Sequence, residues 1–455
     1  MLKDFWKILR YKTGWLFIVI LTIIPSLRVV QIISQQNSSL TYSLLSTLGL
    51  VSGVAGMMLY ALNLILATRL KFLENHFGGL NRMFIAHHIT GGIALILLCF
   101  HPMLLAARLI NPVTTKTIRY AAEFLWIQPI SFSMPFTNYM AINFGIIAFL
   151  GLVVLLIITF FIKLPYRVWL FTHKFLGAAF FFAGLHVLFI KGTISNDSFI
   201  KTYLLFWAVM GITAAAYKTL GGKILIRRYK YRLKSSKKIN KEVVELILEP
   251  LNQKIDFQPG QFVFINFISS KVKPINNEAH PFSVSSDNTK NTIRLNVKAL
   301  GDFTKSLQKL EPGTIAEIEG AYGKFSYRNF DNPNQIWIAG GIGITPFLSM
   351  AQGLENENHI NVDLYYSVNT ESEIIKKDEL NKIMKNPKFK FRLIPQIVNS
   401  DGLLTADMIS KQSKGLKEKE IFICGPPLMM KALRKQFNEK GIPNSNIHTE
   451  EFSLT

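Results

Sequence analysis

Residues 83–108 read MFIAHHITGGIALILLCFHPMLLAAR. No charge interrupts this run before Arg108. Its length suffices for a bilayer core, which takes about 20 mostly apolar residues. Yet His87, His88 and His101 lie inside it, and polar groups at membrane depth are costly enough to need a role. A second run, residues 168–190, reads VWLFTHKFLGAAFFFAGLHVLFI and carries His173 and His186. Both runs therefore hold histidines near both ends. His87 and His101 are 14 residues apart, and His173 and His186 are 13 apart. On an ideal helix 14 residues rise about 21 Å and return to within about 40° of the same face, whereas 13 fall about 140° short of four turns. The second run therefore needs a bulge, kink or tilt for both of its rings to face the first, and Gly177 and Gly184 make that possible. Depths match, since His87 follows Arg82 by five residues and His173 follows Arg167 by six. Two such helices side by side present one histidine pair near each membrane face. Imidazole is a common axial ligand of haem iron, and a flat macrocycle fits between facing helices. His88 competes with His87, because His88 to His101 is also 13 residues. His76 reads as a surface residue.

Working outward, six apolar runs occur at about 14–33, 42–67, 83–108, 138–162, 168–190 and 200–220. Arg69, Lys71, Arg82, Lys163 and Arg167 lie in the connections on one side, and residues 223–241 after the sixth run are densely basic. Segments 35–42 and 192–198 on the other side carry few positive charges. The positive-inside rule then predicts a multi-pass protein of the cell membrane with both termini cytoplasmic. The first run lacks a small-residue cleavage site and reads as a retained span. The loop at 109–137 falls outside and is long enough to dock a protein. The 455 residues carry 51 Lys and Arg against 29 Asp and Glu, a net charge of +22. Because many of these cations flank apolar runs, membrane lipid is the partner they indicate, and nucleic acid is excluded by the lack of a basic-aromatic pattern. Cys99 lies in an apolar run and Cys424 far away in a polar half, so the two are not expected to pair.

From about residue 242 the pattern changes to short alternating strands at 243–248, 261–267, 292–299 and 314–319, which predict a small antiparallel barrel. Inside it stands His280-Pro281-Phe282-Ser283-Val284-Ser285-Ser286, where an aromatic followed by a hydroxyl on a strand suits a flavin ring. Gly301-Asp302-Phe303-Thr304 follows, a glycine turn opening a helix whose N–H groups suit a pyrophosphate. After Pro333 the order becomes strand, loop, helix. Residues 335–339 form a buried-strand run, and Gly340-Gly341-Ile342-Gly343-Ile344-Thr345-Pro346 opens a helix where backbone can approach a dinucleotide. Strands at 361–368, 388–394 and 420–423, then Cys424-Gly425-Pro426-Pro427 and a helix at 428–437, predict a parallel sheet with its ligand at the carboxyl edge. Cys424 is placed at the nicotinamide end.

With these motifs in this order, together with 319–323 (EGAYG) and 450–452 (EEF), the chain resembles the NADPH oxidase and ferric reductase superfamily from the second span to the C-terminus. The resemblance implies a bundle of six transmembrane helices, then an antiparallel β-barrel FAD domain and an α/β parallel-sheet NAD(P) domain of ferredoxin reductase type. The divisions expected are a haem-binding membrane domain at 1–222, a basic cytoplasmic linker at 223–241, the FAD barrel at 242–332 and the NAD(P) domain at 333–455. By resemblance two haem b groups are held, the inner by His87 and His173 and the outer by His101 and His186. Gly91, four residues after His87, favours His87 over His88 in that alignment. FAD is expected at His280, Pro281, Phe282, Ser283, Ser286, Gly301, Asp302 and Thr304, with Phe452 covering the flavin. NADPH or NADH is expected at Gly340, Gly341, Gly343, Thr345, Pro346, Cys424, Gly425 and Pro426. Electrons would pass from the nicotinamide through FAD and both haems to an external acceptor, with no side-chain acid or base. Oxygen, giving superoxide, ranks just ahead of a ferric chelate, and a donor subunit for a quinone or an extracytoplasmic protein is the alternative. A protein partner is not required. No calcium-binding loop is seen, which suggests constitutive activity.

The sequence departs from the family pattern in places. Ala321 stands where a proline is usual, and Asn369 where an arginine often binds the 2′-phosphate of NADPH, leaving Lys376 and Lys377 as candidates. Residues 44–58 lack the span-two arginine of animal oxygen-reducing members, so Arg28 and Arg108 become the outer-side candidates for haem propionates or an anionic acceptor.

Overall fold

A computed structural model describes residues 2–36, 39–108, 138–192, 194–223, 226–268, 278–357 and 359–451. Phe452 and the loop 109–137, expected on the outer side, lie outside the described residues. The chain forms two compact units, residues 1–78 with 82–225 and residues 79–81 with 226–455.

The first unit is helical: α1 (Leu2–Ser34), α2 (Leu40–Leu66), α3 (Lys71–Phe77), α4 (Leu80–Ala107), α5 (Asn138–Phe161), α6 (Tyr166–Lys174), α7 (Leu176–Phe189) and α8 (Ser198–Thr219). Among the described residues, six stretches are long and apolar enough to cross a membrane: Lys12–Ser34, Leu40–Leu66, Leu80–Ala107, Met140–Phe161, Arg167–Phe189 and Ser198–Thr219. They coincide with the six apolar runs of the sequence. Local chemistry sets their starts. Ser39 and Asp197 cap α2 and α8, accepting from the N–H groups of Tyr42 and Ile200. Leu16, Ile23, Leu27, Ile85, Ile96, Phe100, Val154, Phe160, Phe206 and Val209 are exposed apolar side chains on these helices, the surface expected where lipid replaces water.

The fifth span is broken into α6 and α7 at Phe175, whose N–H turns back to Thr172 O at 3.0 Å in a tighter, 3₁₀-like step. The break lies between His173 and His186, two residues before Gly177.

In the second unit a six-stranded antiparallel sheet has the order β4-β3-β6-β1-β2-β5. Its strands are β1 (Tyr229–Lys238), β2 (Val243–Pro250), β3 (Phe262–Phe267), β4 (Ala279–Ser283), β5 (Ile293–Lys298) and β6 (Ile315–Tyr322), with the short helix α9 (Asp302–Leu307) before β6. Tyr231, Leu246, Val263, Ile265, Leu295 and Ile318 fill its core. The expected linker at 223–241 is corrected here: residues 229–238 form β1, paired with β2 and β6. Only Tyr231 and Leu233 point inward along it, while Lys230, Arg232 and Lys234 are exposed. Cations on the outer positions hide the strand alternation in the sequence.

A five-stranded parallel sheet follows with the order β11-β10-β7-β8-β9. Its strands are β7 (Asn334–Gly340), β8 (Asn361–Val368), β9 (Lys390–Ile397), β10 (Glu420–Cys424) and β11 (Ile447–Glu450), with helices α10 (Thr345–Gly353), α11 (Lys377–Met384), α12 (Ala406–Gln412) and α13 (Pro427–Glu439). Both faces are covered, so β7 is buried almost throughout. Alternation along it sends Trp337 and Ala339 to one layer with Phe347 and Tyr366, and Ile336 and Ile338 to the other with Ile421, Leu433 and Phe437. The strand order reverses between β7 and β10, which makes their carboxyl ends the crevice for a ligand.

Candidate functional site

The histidine rings pair across α4 and the broken fifth span. The ring centres of His87 and His173 are 6.3 Å apart, and those of His101 and His186 are 6.5 Å apart. Two metal–nitrogen bonds of about 2 Å, with about 1.2 Å from each nitrogen to its ring centre, would separate two axial imidazoles by about 6.4 Å. Each Nδ1 is turned to a neighbouring helix. His101 Nδ1 donates to Gly49 O at 2.7 Å, His186 Nδ1 to Ala141 O at 2.8 Å and His87 Nδ1 to Asn63 O at 3.1 Å. His173 Nδ1 lies 3.4 Å from Thr159 Oγ1, and Trp169 stacks on its ring. A ring that donates through Nδ1 keeps the Nε2 lone pair free for a metal, with its orientation locked. The residues therefore fit two six-coordinate irons. His88 sits beside His87 with ring centres 5.7 Å apart, but His87 is the ring bonded to Asn63. His76 is half-buried rather than a plain surface residue, with its Nδ1 3.0 Å from Thr13 Oγ1.

Several supporting residues were not singled out from the sequence. A Cβ on Gly53 would stand 2.4 Å from His101 Nδ1, and one on Gly145 would stand 2.8 Å from His186 Nδ1. Only glycine leaves room for these rings against α2 and α5. Asn63 links α2 to α4, accepting from His87 Nδ1 and donating to His87 O and Thr90 Oγ1. The legible signal was a set of small residues in α2, Gly49, Gly53 and Gly56, at helical spacing.

Of the two outer arginines, Arg28 is spent on Asp197, with its Nη2 2.8 Å from Oδ2, and on Gln31. A propionate or anionic acceptor would have to displace that carboxylate. Arg108 instead lies over the Tyr42 ring, with Nη1 3.5 Å from Ser46 Oγ and a buried Nε that has no hydrogen-bond partner among the described residues.

In the second unit Phe262, Pro281, Phe282, Ser283, Glu450 and Glu451 line one cleft. Phe282 is partly exposed beside buried Ser283, an aromatic face next to a hydroxyl, which fits a flavin ring. His280 stacks on Phe303 with centres 3.7 Å apart, and Phe303 stacks in turn near Phe282. Thr304 Oγ1 accepts from the N–H groups of Leu300 and Gly301 at 2.9 Å, so these two donors are engaged within the turn that Asp302 continues into α9. Ser286 is turned to β5, where its hydroxyl accepts from Arg294 N at 3.1 Å.

The nicotinamide-side residues converge at the switch point. Cys424 is in register with Ala339 on β7 and with Glu450 on β11. Gly341 has φ +53, a left-handed turn that glycine adopts freely. A Cβ on Gly343 would lie 2.2 Å from Cys424 O, and one on Gly425 would lie 2.9 Å from Gly340 Cα. The two loops thus touch backbone to backbone, and Pro426 and Pro346 each stand at the start of the following helix. Thr345 Oγ1 donates to Ile342 O at 3.0 Å, closing the turn. The Cys424 thiol is fully buried, and burial, helped by the Glu450 charge, pushes it well above the ordinary thiol range. It is a neutral thiol at pH 7.

An ion network joins the antiparallel and parallel sheets. Arg294 on β5 makes two 2.7 Å bonds to Glu379 on α11, and Gln352 on α10 donates to the same carboxylate at 2.7 Å. Lys376 pairs with Glu245 on β2, and Lys377 lies 2.8 Å from Glu371. Neither lysine is a spare cation for a phosphate.

Residues 52–184 match the ferric reductase like transmembrane component, residues 228–324 an FAD-binding domain and residues 337–435 an oxidoreductase NAD-binding domain. The electron transfer component of 2-halobenzoate 1,2-dioxygenase from Burkholderia cepacia is 28% identical over 222 residues, which is 46% of this chain and 62% of that protein. Ferric reduction oxidase 8 from Arabidopsis thaliana is 30% identical over 169 residues, 33% of this chain and 22% of that one. The chain thus spans about three fifths of the first of these relatives and a smaller share of the second. Among solved structures, flavohemoglobin from Malassezia yamatoensis aligns over 91% of this chain and 99% of its own with a TM-score of 0.51 at 18% identity, a likeness of fold alone. The chain thus carries a ferric reductase like transmembrane component, an FAD-binding domain and an oxidoreductase NAD-binding domain, in that order.

Proposed function

We propose that this protein carries electrons from cytoplasmic NAD(P)H through FAD and two bis-histidine haems to an acceptor on the other side of a membrane. The observation that carries the reading is the pair of histidine couples 6.3 and 6.5 Å apart, with Nδ1 atoms bonded away to flanking helices. FAD accepts a two-electron hydride and releases single electrons, the only kind haem iron takes. His87 and His173 would hold one haem iron, and His101 and His186, about 21 Å further along α4, would hold the other. Phe282 and Ser283 would orient the flavin ring, and the glycine loops at 340–343 and 424–425 would hold the dinucleotide at the crevice between β7 and β10. No side chain moves a proton. With two histidines committed to each iron, bound haem would offer an acceptor its edge and no iron position to bind.

Oxygen is the acceptor assigned first, because a small neutral molecule reaches a haem edge without a binding loop. A ferric chelate is the second reading, favoured by Arg108, a cation just past the end of α4 and seven residues beyond His101, whose Nη1 makes only a long 3.5 Å bond to Ser46 Oγ. The test is NAD(P)H-driven cytochrome c reduction by the purified protein with and without superoxide dismutase. Suppression by the dismutase supports superoxide formation. Undiminished reduction, with haem still reduced, rejects oxygen in favour of a chelate or a protein acceptor.

A further inference from the structure

The loops that follow β8 and β9, residues 369–375 and 398–402, stand at the same carboxyl edge as the glycine turn after β7. They touch each other, with Asn399 N donating to Asn369 O at 3.3 Å. A dinucleotide whose pyrophosphate lies at the glycine turn extends its adenosine ribose toward the end of the neighbouring strand. There an acidic residue accepts from the ribose 2′-hydroxyl, whereas a cation is needed for a 2′-phosphate. Glu371, Glu373 and Asp401 stand on these two loops, and neither loop contains a lysine or an arginine. The lysines that come next are committed. Lys376 adopts φ +56 and reaches to Glu245 on β2, and Lys377 lies 2.8 Å from Glu371. A 2′-phosphate would therefore meet three carboxylates, and would have to draw Lys377 from Glu371 to find any counter-charge among these groups. Asp401 is held by Ile397 N–H and Ser400 Oγ, but the exposed Glu371 carboxylate keeps lone pairs for a ribose hydroxyl while still pairing with Lys377.

From this we infer that NADH, not NADPH, is the physiological electron donor, with Asn369 and Glu371 as the residues that set the choice. The inference rests on the reading of this crevice as the nicotinamide dinucleotide site. Its test is anaerobic stopped-flow reduction of the bound FAD in the full-length protein, which needs neither haem nor acceptor. NADH should reduce the flavin with a second-order rate constant at least about tenfold above that for NADPH, roughly the weight of one charge-assisted hydrogen bond. The double variant Asn369→Arg, Glu371→Gln, with FAD content unchanged, should move the ratio toward NADPH by about tenfold or more. Equal or faster reduction by NADPH in the unaltered protein would overturn the inference while leaving the proposed function intact. Flavin reduction by neither nucleotide would overturn both.

Discussion

Replacing Gly53 by alanine should strip the outer haem while leaving the inner one in place. The added Cβ would stand 2.4 Å from His101 Nδ1 and 2.6 Å from Cε1. Ordinary contacts between such atoms begin near 3.5 Å, so the ring must retreat by about 1 Å. It is held in place by the 2.7 Å bond from Nδ1 to Gly49 O, and losing that bond costs about 1 kcal/mol. Metal–ligand distances tolerate only about 0.2 Å, and loss of an orienting partner weakens metal binding about 10–100-fold. The expected result is an outer-haem affinity lower by at least that factor, a loss of about 1.4–2.8 kcal/mol. Gly145→Ala, with its Cβ 2.8 Å from His186 Nδ1, should act in the same direction but more weakly. Gly92→Ala, which meets nothing within 4 Å, should change nothing. The assay is the haem-to-protein ratio by pyridine haemochrome together with a potentiometric titration, and FAD content serves as the control for folding. A Gly53→Ala protein with two haems at unchanged potentials would refute the reasoning.

Other perturbations test other parts of the account. His101→Leu or His186→Leu should each yield one haem per chain with flavin reduction intact, read from the haem ratio and the flavin absorbance. Arg294→Met removes both bonds to Glu379; because Glu379 keeps about a quarter of its surface, the cost should be about 2–3 kcal/mol, below that of a fully buried pair. This should lower the unfolding temperature of the flavin-containing unit by about 5–10 °C, and an unchanged melting curve by flavin fluorescence would count against the network. For Cys424 the folded thiol pKa is raised, so above about pH 8.5 the folded state binds more protons than the unfolded one and stability falls as pH rises. Cys424→Ala should flatten that alkaline decline, and an identical decline in both proteins would show that the thiol titrates normally.

How much of this the sequence discloses varies with the physics behind each feature. The six spans are legible because the bilayer demands length and apolarity, which composition reports directly. The histidine couples are legible because isolated imidazoles in apolar helices stand out. What makes the couples work is less visible. The break at Phe175 comes from a tightened turn with no proline or glycine at the break itself, and the roles of Gly53 and Gly145 depend on which ring from another helix lies against them. The switch-point glycines and Cys424 meet because parallel strands end together, and motif order foretells that. Strand β1 is hidden because its outward positions are lysine and arginine, so a strand reads as a linker. The engagement of Arg28 by Asp197, and of Lys376 by Glu245, joins residues more than 100 positions apart, and no local pattern encodes such a partner. Counting cations in the sequence therefore overstates how many are free for a ligand.

The most direct test of the central claim is the haem content and spin state of the purified, unaltered protein, measured by pyridine haemochrome and low-temperature electron paramagnetic resonance. Two haems per chain, both low-spin and unreactive toward carbon monoxide when reduced, are the result predicted by two irons each held by two imidazoles. Fewer than two haems, or a high-spin ferric signal with carbon monoxide binding, would mean that at least one of the couples His87–His173 and His101–His186 does not hold iron as described.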